Sequence, residues 1–325
     1  GETKDLVDVF QEVKDKVPGL RRASIVNNEN SRIPQELSDF YLPLLSGPEI
    51  AVAATKSFVS ELAVLYTAAA SLSLPEQEII DRLARVRALS AQALESCAEA
   101  VEAAAEKLYL RPSIHVLAAG QIGLAKEGAL KVREVALNHS EGYDAAEFKH
   151  GPNTILGKNT VFSVDDVAAA IGRYRDAAAS CPGLLGLDPM EALRSRPEIA
   201  EGLFRDYPLV FVCPPDPREI RITVSQIHTH KIRGADIVVI AERNPELAVA
   251  AAGKPAGNEA YWSEYIELPA SQDPLLSVFA AASVLQLLAY RMSVKKMAAL
   301  DALGIREHGV HPDTPKNVSK SITVD

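Results

Sequence analysis

Three ionisable residues in the segment EGALKVRE stand at positions i, i+4 and i+7: Glu127, Lys131 and Glu134. On a helix that spacing puts them on one face, two carboxylates flanking one ammonium. Such a set can move a hydrogen between C1 and C2 of a sugar. A carboxylate takes the proton, while the lysine polarises the adjoining hydroxyl and keeps the base ionised. The same spacing also suits a solvated ladder of ion pairs, and the three residues alone leave both readings open.

Two shorter signals accompany this set. Gly1-Glu2-Thr3 precedes an amphipathic run, at a helix N-terminus whose unpaired backbone N–H groups and positive dipole end favour a phosphate. The Thr3 hydroxyl adds a donor, although an ordinary helix start with Thr near the cap has the same residues. Lys149-His150-Gly151-Pro152 puts a histidine ahead of a turn, where it either swings toward a ligand as acid or base or is an idle loop residue. His228 and His230 are two apart on an expected helix and point different ways, so they are not a metal pair. No metal and no cofactor are expected.

The elements that must position these groups follow from periodicity. Residues 2–17 read as an amphipathic helix, 23–27 and 39–45 as strands, and 55–74 as a long apolar helix. The order returns later: a strand at 208–213, a helix over 218–232, strands at 236–241 and 265–269, and a helix over 275–292. ASIVNNEN near the start matches ADIVVIAERN in place as well as in pattern. Strands linked through helices pair in parallel, so the expected fold is α/β with two doubly wound parallel-sheet lobes.

The expected organisation is 1–74 for the remainder of a first lobe, 75–111 for Ala-rich connecting helices, 112–310 for a second lobe and 311–325 for a C-terminal tail. The second lobe has an opening section, a strand at 113–116 and a helix over 125–138, that the first lacks. The first lobe is therefore read as truncated, with about 60 residues expected upstream of Gly1 by comparison of the repeats. Residues from about 163 to 206 look like an insertion in the second lobe.

Length and composition agree with one or two globular α/β domains: 325 residues, 47% hydrophobic. The net charge of −9 is spread without a long basic run, which argues against nucleic acid and anionic membrane surfaces as partners. Three unclustered cysteines support neither a disulfide framework nor a zinc site, and a reducing cytoplasm fits. No apolar run is read as reaching the roughly 18 residues that span a bilayer.

Together these segments resemble the sugar isomerase (SIS) domain pair of the glucosamine-6-phosphate synthases, the glutamine:fructose-6-phosphate aminotransferases. The likeness is collinear over most of the chain: GET at 1–3, GPEIAVAATKSF at 47–58, EGALKVREV at 127–135, EFKHGP at 147–152, LQLLAY at 285–290 and DTPKNVSKSITVD at 313–325. The last stretch is the most specific, because sugar isomerase domains at large do not share that tail.

The resemblance implies that the chain is the isomerase half of an enzyme converting fructose 6-phosphate and ammonia to glucosamine 6-phosphate. The ammonia would come from glutamine in an N-terminal glutaminase domain that this sequence lacks. Thr3 would contact the sugar phosphate, Val52 would touch substrate through its backbone, and Glu127 would join them in binding. Glu134 would shuttle the C1/C2 proton with the help of Lys131, and His150 would open the ring. In the family that histidine comes from the neighbouring subunit, which implies a homodimer. Lys320 matches the tail lysine that forms an imine with the open ketose.

The sequence departs from the family pattern at Ala54, at Ser319 and at Leu117-Ala118-Ala119. Two other classes compete: a glutamine-independent isomerase or deglycase of the same superfamily, and a non-catalytic sugar-phosphate-binding regulator. The joint presence of Glu134, Lys131, His150 and Lys320 argues against the regulator, which needs a phosphate site but no proton-transfer set.

Overall fold

The computed structural model describes residues 2–158, 163–200, 202–271 and 273–312. They form two compact units that divide between Ala88 and Leu89.

The first unit opens with helix α1 (Lys4–Lys16), followed by strand β1 (Ala23–Val26), a π-helical turn at Ile33–Leu37, strand β2 (Phe40–Pro43) and helix α2 (Lys56–Ala70). β1 and β2 run parallel, with Ala23 opposite Phe40 and Val26 opposite Pro43. Val7 of α1 packs on Ile33 and Leu37 with Phe10 beside them. Two strands cover little, and Leu6, Val9, Phe40 and Ile50 remain at least half exposed.

Helix α3 (Glu76–Ser96) carries the chain into the second unit, where α4 (Ala98–Leu108) and β3 (Ser113–Ala118) follow. Next come α5 (Ile122–Lys131), β4 (His139–Asp144), the helices α6 (Val164–Ser180) and α7 (Pro189–Ser195), and β5 (Tyr207–Cys213). The unit closes with α8 (Pro217–Ile232), β6 (Ala235–Glu242), α9 (Pro245–Ala252), β7 (Ser263–Leu268) and α10 (Pro274–Ala302). The sheet is wholly parallel, in the order β4-β3-β5-β6-β7.

Every residue of β5 is buried, as is nearly all of β6, because helices cover both faces of a doubly wound sheet. Leu209, Phe211, Ile237 and Val239 turn to one face and pack with Ile227 of α8 and Leu247 of α9. α10 packs against both α4 and α5, and all three also meet the sheet.

The expected duplication is visible element by element. The run α1-β1-turn-β2-α2 of the first unit repeats as α8-β6-α9-β7-α10 in the second, with a parallel strand pair in each.

Three expectations are corrected. The helix read over 125–138 starts earlier, at Ile122, and changes to a π-helical turn over Val132–Ala136. Strand β4 has no counterpart in the reading, because HSEGYD lacks an apolar alternation. Finally, α10 is long and apolar enough by composition to cross a membrane, contrary to the count of apolar runs. However, 67% of its most apolar window is buried inside the second unit, as in a core helix.

Candidate functional site

The structure brings Glu127, Lys131 and Glu134 together. The Lys131 ammonium is 2.7 Å from Glu134 Oε2 and 3.5 Å from Glu127 Oε1. Glu127 is 7% exposed and Lys131 only 2%, which excludes the solvated ladder of ion pairs. The 3.5 Å approach is an ion pair without a hydrogen bond at Oε1, and burial pushes the Glu127 carboxyl above its ordinary range, partly offset by Lys131. Glu134 is more open, with its side chain 23% exposed. The arrangement is a solvent-accessible carboxylate hydrogen-bonded to a buried ammonium, with a second buried carboxyl behind.

Close packing fixes the helix that carries this set. A Cβ on Gly142 of β4 would lie 2.5 Å from the backbone of Ala125 and Lys126, so only glycine lets β4 and α5 approach this closely. A Cβ on Gly128 would meet the Leu285 side chain of α10 at 2.8 Å. The π-helical turn is held from α10 by the Ser293 hydroxyl, which donates to the Val135 carbonyl. It ends at Leu137 in the left-handed region, φ 57°, a conformation that costs a non-glycine residue of order 1 kcal/mol.

Buried Asn138 holds the chain there. Its amide donates to the Tyr109 and Arg111 carbonyls, and its oxygen accepts from Lys296 at 2.9 Å. These supports span distant parts of the sequence, and no local signal marks them.

Asp144 Oδ1 accepts from the Ala146 and Glu147 amides and starts a 3-10 turn, Glu147–His150, pinned by fully buried Phe148. His150 follows on the exposed surface, ahead of Gly151 at φ 150°.

The other expected residues belong to the first unit. Thr3 is the N-cap of α1; it is exposed, and its hydroxyl makes no capping hydrogen bond. Val52 is half-buried in the loop between β2 and α2. Asn27, at the end of β1, pins the start of that loop through Gly47 and Ser46. Glu49 closes it by accepting from Thr55 Oγ1 and the Ser57 amide, each at 3.0 Å. Burial would raise the Glu49 carboxyl, but these bonds prevail and hold it below its usual value. Glu49 was missed by the sequence reading, although an acid ahead of Thr55 and Ser57 at a helix start was its signal. Lys320 lies outside the described residues.

In the second unit the turn into α5 is filled from within. Gly120 has φ 70°, and a Cβ there would lie 2.9 Å from Glu219 Cδ. A carboxylate therefore stands against the turn that leads to the N-terminus of α5, where it disfavours an external anion.

No family model matches the chain. A glutamine–fructose-6-phosphate aminotransferase of Rhizobium meliloti is 32% identical over 267 residues, covering 73% of this chain and 41% of the relative. That of Methanothermobacter thermautotrophicus is 26% identical over 325 residues, covering 100% of this chain and 42% of its own length. The chain thus spans about two-fifths of the length of these relatives. Among solved structures, the C-terminal domain of the Francisella tularensis glucosamine-fructose-6-phosphate aminotransferase superposes with a TM-score of 0.64 at 23% identity, over 91% of this chain and 69% of that one. The chain belongs with the C-terminal isomerase portion of the glutamine–fructose-6-phosphate aminotransferases and has the phosphosugar-isomerase fold.

Proposed function

We propose that this chain is the sugar-isomerase half of an enzyme that makes glucosamine 6-phosphate from fructose 6-phosphate and ammonia. The observation that carries the reading is the buried Lys131 ammonium bonded to the accessible Glu134 carboxylate. Ammonia would be released from glutamine by a glutaminase region outside this chain. The protein would act as a cytoplasmic homodimer without metal or cofactor.

In this reading Thr3 binds the sugar phosphate, Val52 contacts the substrate through its backbone, and Glu127 supports binding from behind Lys131. His150, lent by the neighbouring subunit, moves the proton that opens the sugar ring. The Lys320 amine then condenses with the C2 ketone and water leaves; ammonia displaces the lysine and leaves a C2 imine. Glu134 takes a proton from C1 as the imine nitrogen gains one, giving an enaminol. It returns the proton to C2 while the C1 hydroxyl loses its own, giving the aldehyde of glucosamine 6-phosphate. Lys131 positions the Glu134 carboxylate for the first transfer through its 2.7 Å hydrogen bond.

The deciding assay incubates the protein with fructose 6-phosphate and ammonium and measures glucosamine 6-phosphate. Borohydride reduction during turnover should couple the ketose phosphate to Lys320. Labelling of another lysine removes Lys320 from the reaction. Interconversion of ketose and aldose phosphates without incorporation of nitrogen would replace this reading with a glutamine-independent isomerase.

A further inference from the structure

The insert between β4 and β5 has no part in the chemistry above. It is nevertheless folded, with a small core of Ala177, Ala178, Leu184, Ala192 and Ile199. Between it and the starts of β5 and β6 the structure has a cavity of about 810 Å³. That size is within the roughly 300–1,000 Å³ of small-molecule sites. Glu127, Lys131, Glu134 and His150 do not line it.

The wall of this cavity is charged and fixed. Asp166, 4% exposed, pairs with Arg111 at 3.4 Å and with Arg205, which sets two guanidinium groups on the wall. Arg173 donates through Nε to the Ile199 carbonyl at 3.3 Å, and exposed Lys158 adds a further cation. The sheet side supplies Asp206 and Asp236, 5% and 7% exposed. Asp206 Oδ1 is buried without a hydrogen-bond partner. Burial pushes Asp236 up to about 7, so its carboxyl can accept or donate a hydrogen bond near neutral pH. Trp262, the single tryptophan of the chain, lines the same wall, and its backbone N–H donates to Asp236 Oδ1 at 2.9 Å.

We propose that this cavity is a second ligand site, separate from the reaction centre, for a phosphorylated carbohydrate. The phosphate pairs with Arg173 and Lys158, sugar hydroxyls bond to Asp206 and Asp236, and the C–H face of the ring lies on Trp262. Guanidinium and ammonium groups suit phosphate oxygens, whereas buried carboxyls reject an anion and accept hydroxyl donors. The two kinds of group on one wall select a molecule that carries both chemistries.

Because Trp262 is the only indole, its fluorescence reports on this cavity. Glucosamine 6-phosphate and, separately, glucose 6-phosphate are titrated into the full chain. The expected result is a saturable change complete below about 10 mM, kept in Thr3→Ala and weakened about 10-fold or more in Lys158→Ala and in Arg173→Ala. Lys158 is exposed, so its variant does not endanger folding. A signal lost in Thr3→Ala but kept in both cavity variants, or no saturable change with either sugar phosphate, overturns the proposal. Thr3→Ala probes the reaction centre and the other two variants probe the cavity, so the failure of either site is read separately.

Discussion

Lys131 and Glu134 meet at 2.7 Å although the lysine is only 2% exposed and the glutamate carboxylate opens toward solvent. A buried ammonium is tolerated only with charge partners, and Glu127 and Glu134 supply them from the same helical run. The pair therefore has one end locked in the core and one end accessible, as a proton-transfer group requires.

Glu134→Gln keeps the shape and a hydrogen-bonding oxygen for Lys131 but removes the proton acceptor. Turnover of fructose 6-phosphate is expected to fall about 10²–10⁴-fold, with substrate affinity within a few-fold of the parent. Steady-state kinetics decides it, and near-normal turnover would remove Glu134 from the mechanism.

Lys131→Met leaves Glu127 buried without its cation. Breaking a buried pair at one end costs roughly 3–5 kcal/mol. The penalty is expected to be smaller at pH 5 than at pH 8, because the carboxyl, already raised by burial, takes a proton and becomes neutral. Denaturant melts at the two pH values measure the difference, and an equal loss at both would show that Glu127 does not change its protonation between them.

Two glycines associated with α5 should respond oppositely to alanine. At Gly142 the new methyl meets backbone atoms at 2.5 Å, so α5 must move off β4. The expected loss is at least the ~1–3 kcal/mol of an overpacked core, with reduced turnover because Glu127 and Lys131 ride on α5. At Gly123, in the first turn of the helix with nothing within 4 Å, alanine should be neutral to stabilising, gaining at most about 1 kcal/mol. Urea melts of both variants test the contrast, and a harmless Gly142→Ala would mean that the helix rests more loosely than drawn.

The carboxylate–lysine–carboxylate face was legible in the sequence because helical spacing alone puts 127, 131 and 134 together. The burial that separates it from a surface ladder was not, since it depends on Gly142 of β4 and on Leu285 and Ser293 of α10. The repeated strand–helix order was readable for the same reason, that periodicity is local. β4 escaped because its polar residues are ordered by contacts across the sheet to β3, such as His139 with Ser113 and Tyr143 with His115. The small core within residues 163–200 and the charged cavity beside it were not legible, because they arise only on folding.

The pH dependence of stability should reveal a balance within the second unit. Burial holds His115 and His230 down to about 4, and both His230 ring nitrogens lack a partner between Phe148 and Phe211. An unfolded histidine binds its proton near 6.5, so the stability of the neutral folded form is complete above that value and is lost as pH falls through about 4. Asp236 works in the other direction. Its folded value of about 7 lies above the unfolded one of 3.8, so its penalty grows as pH rises through that window. Between pH 4 and 6.5 two histidine slopes oppose one aspartate slope, so these three groups leave a net rise of stability with pH. Asp236→Asn keeps an oxygen for the Trp262 amide and removes the opposing slope, so it should be more stabilising at pH 8 than at pH 4. His230→Phe should favour acid instead, raising stability more at pH 5 than at pH 8, because it deletes a group that must stay uncharged. Chemical melts of the parent and both variants from pH 4 to 8 measure all three slopes. A His230→Phe variant with the parent's acid limb would show that this ring does not resist protonation in the folded core.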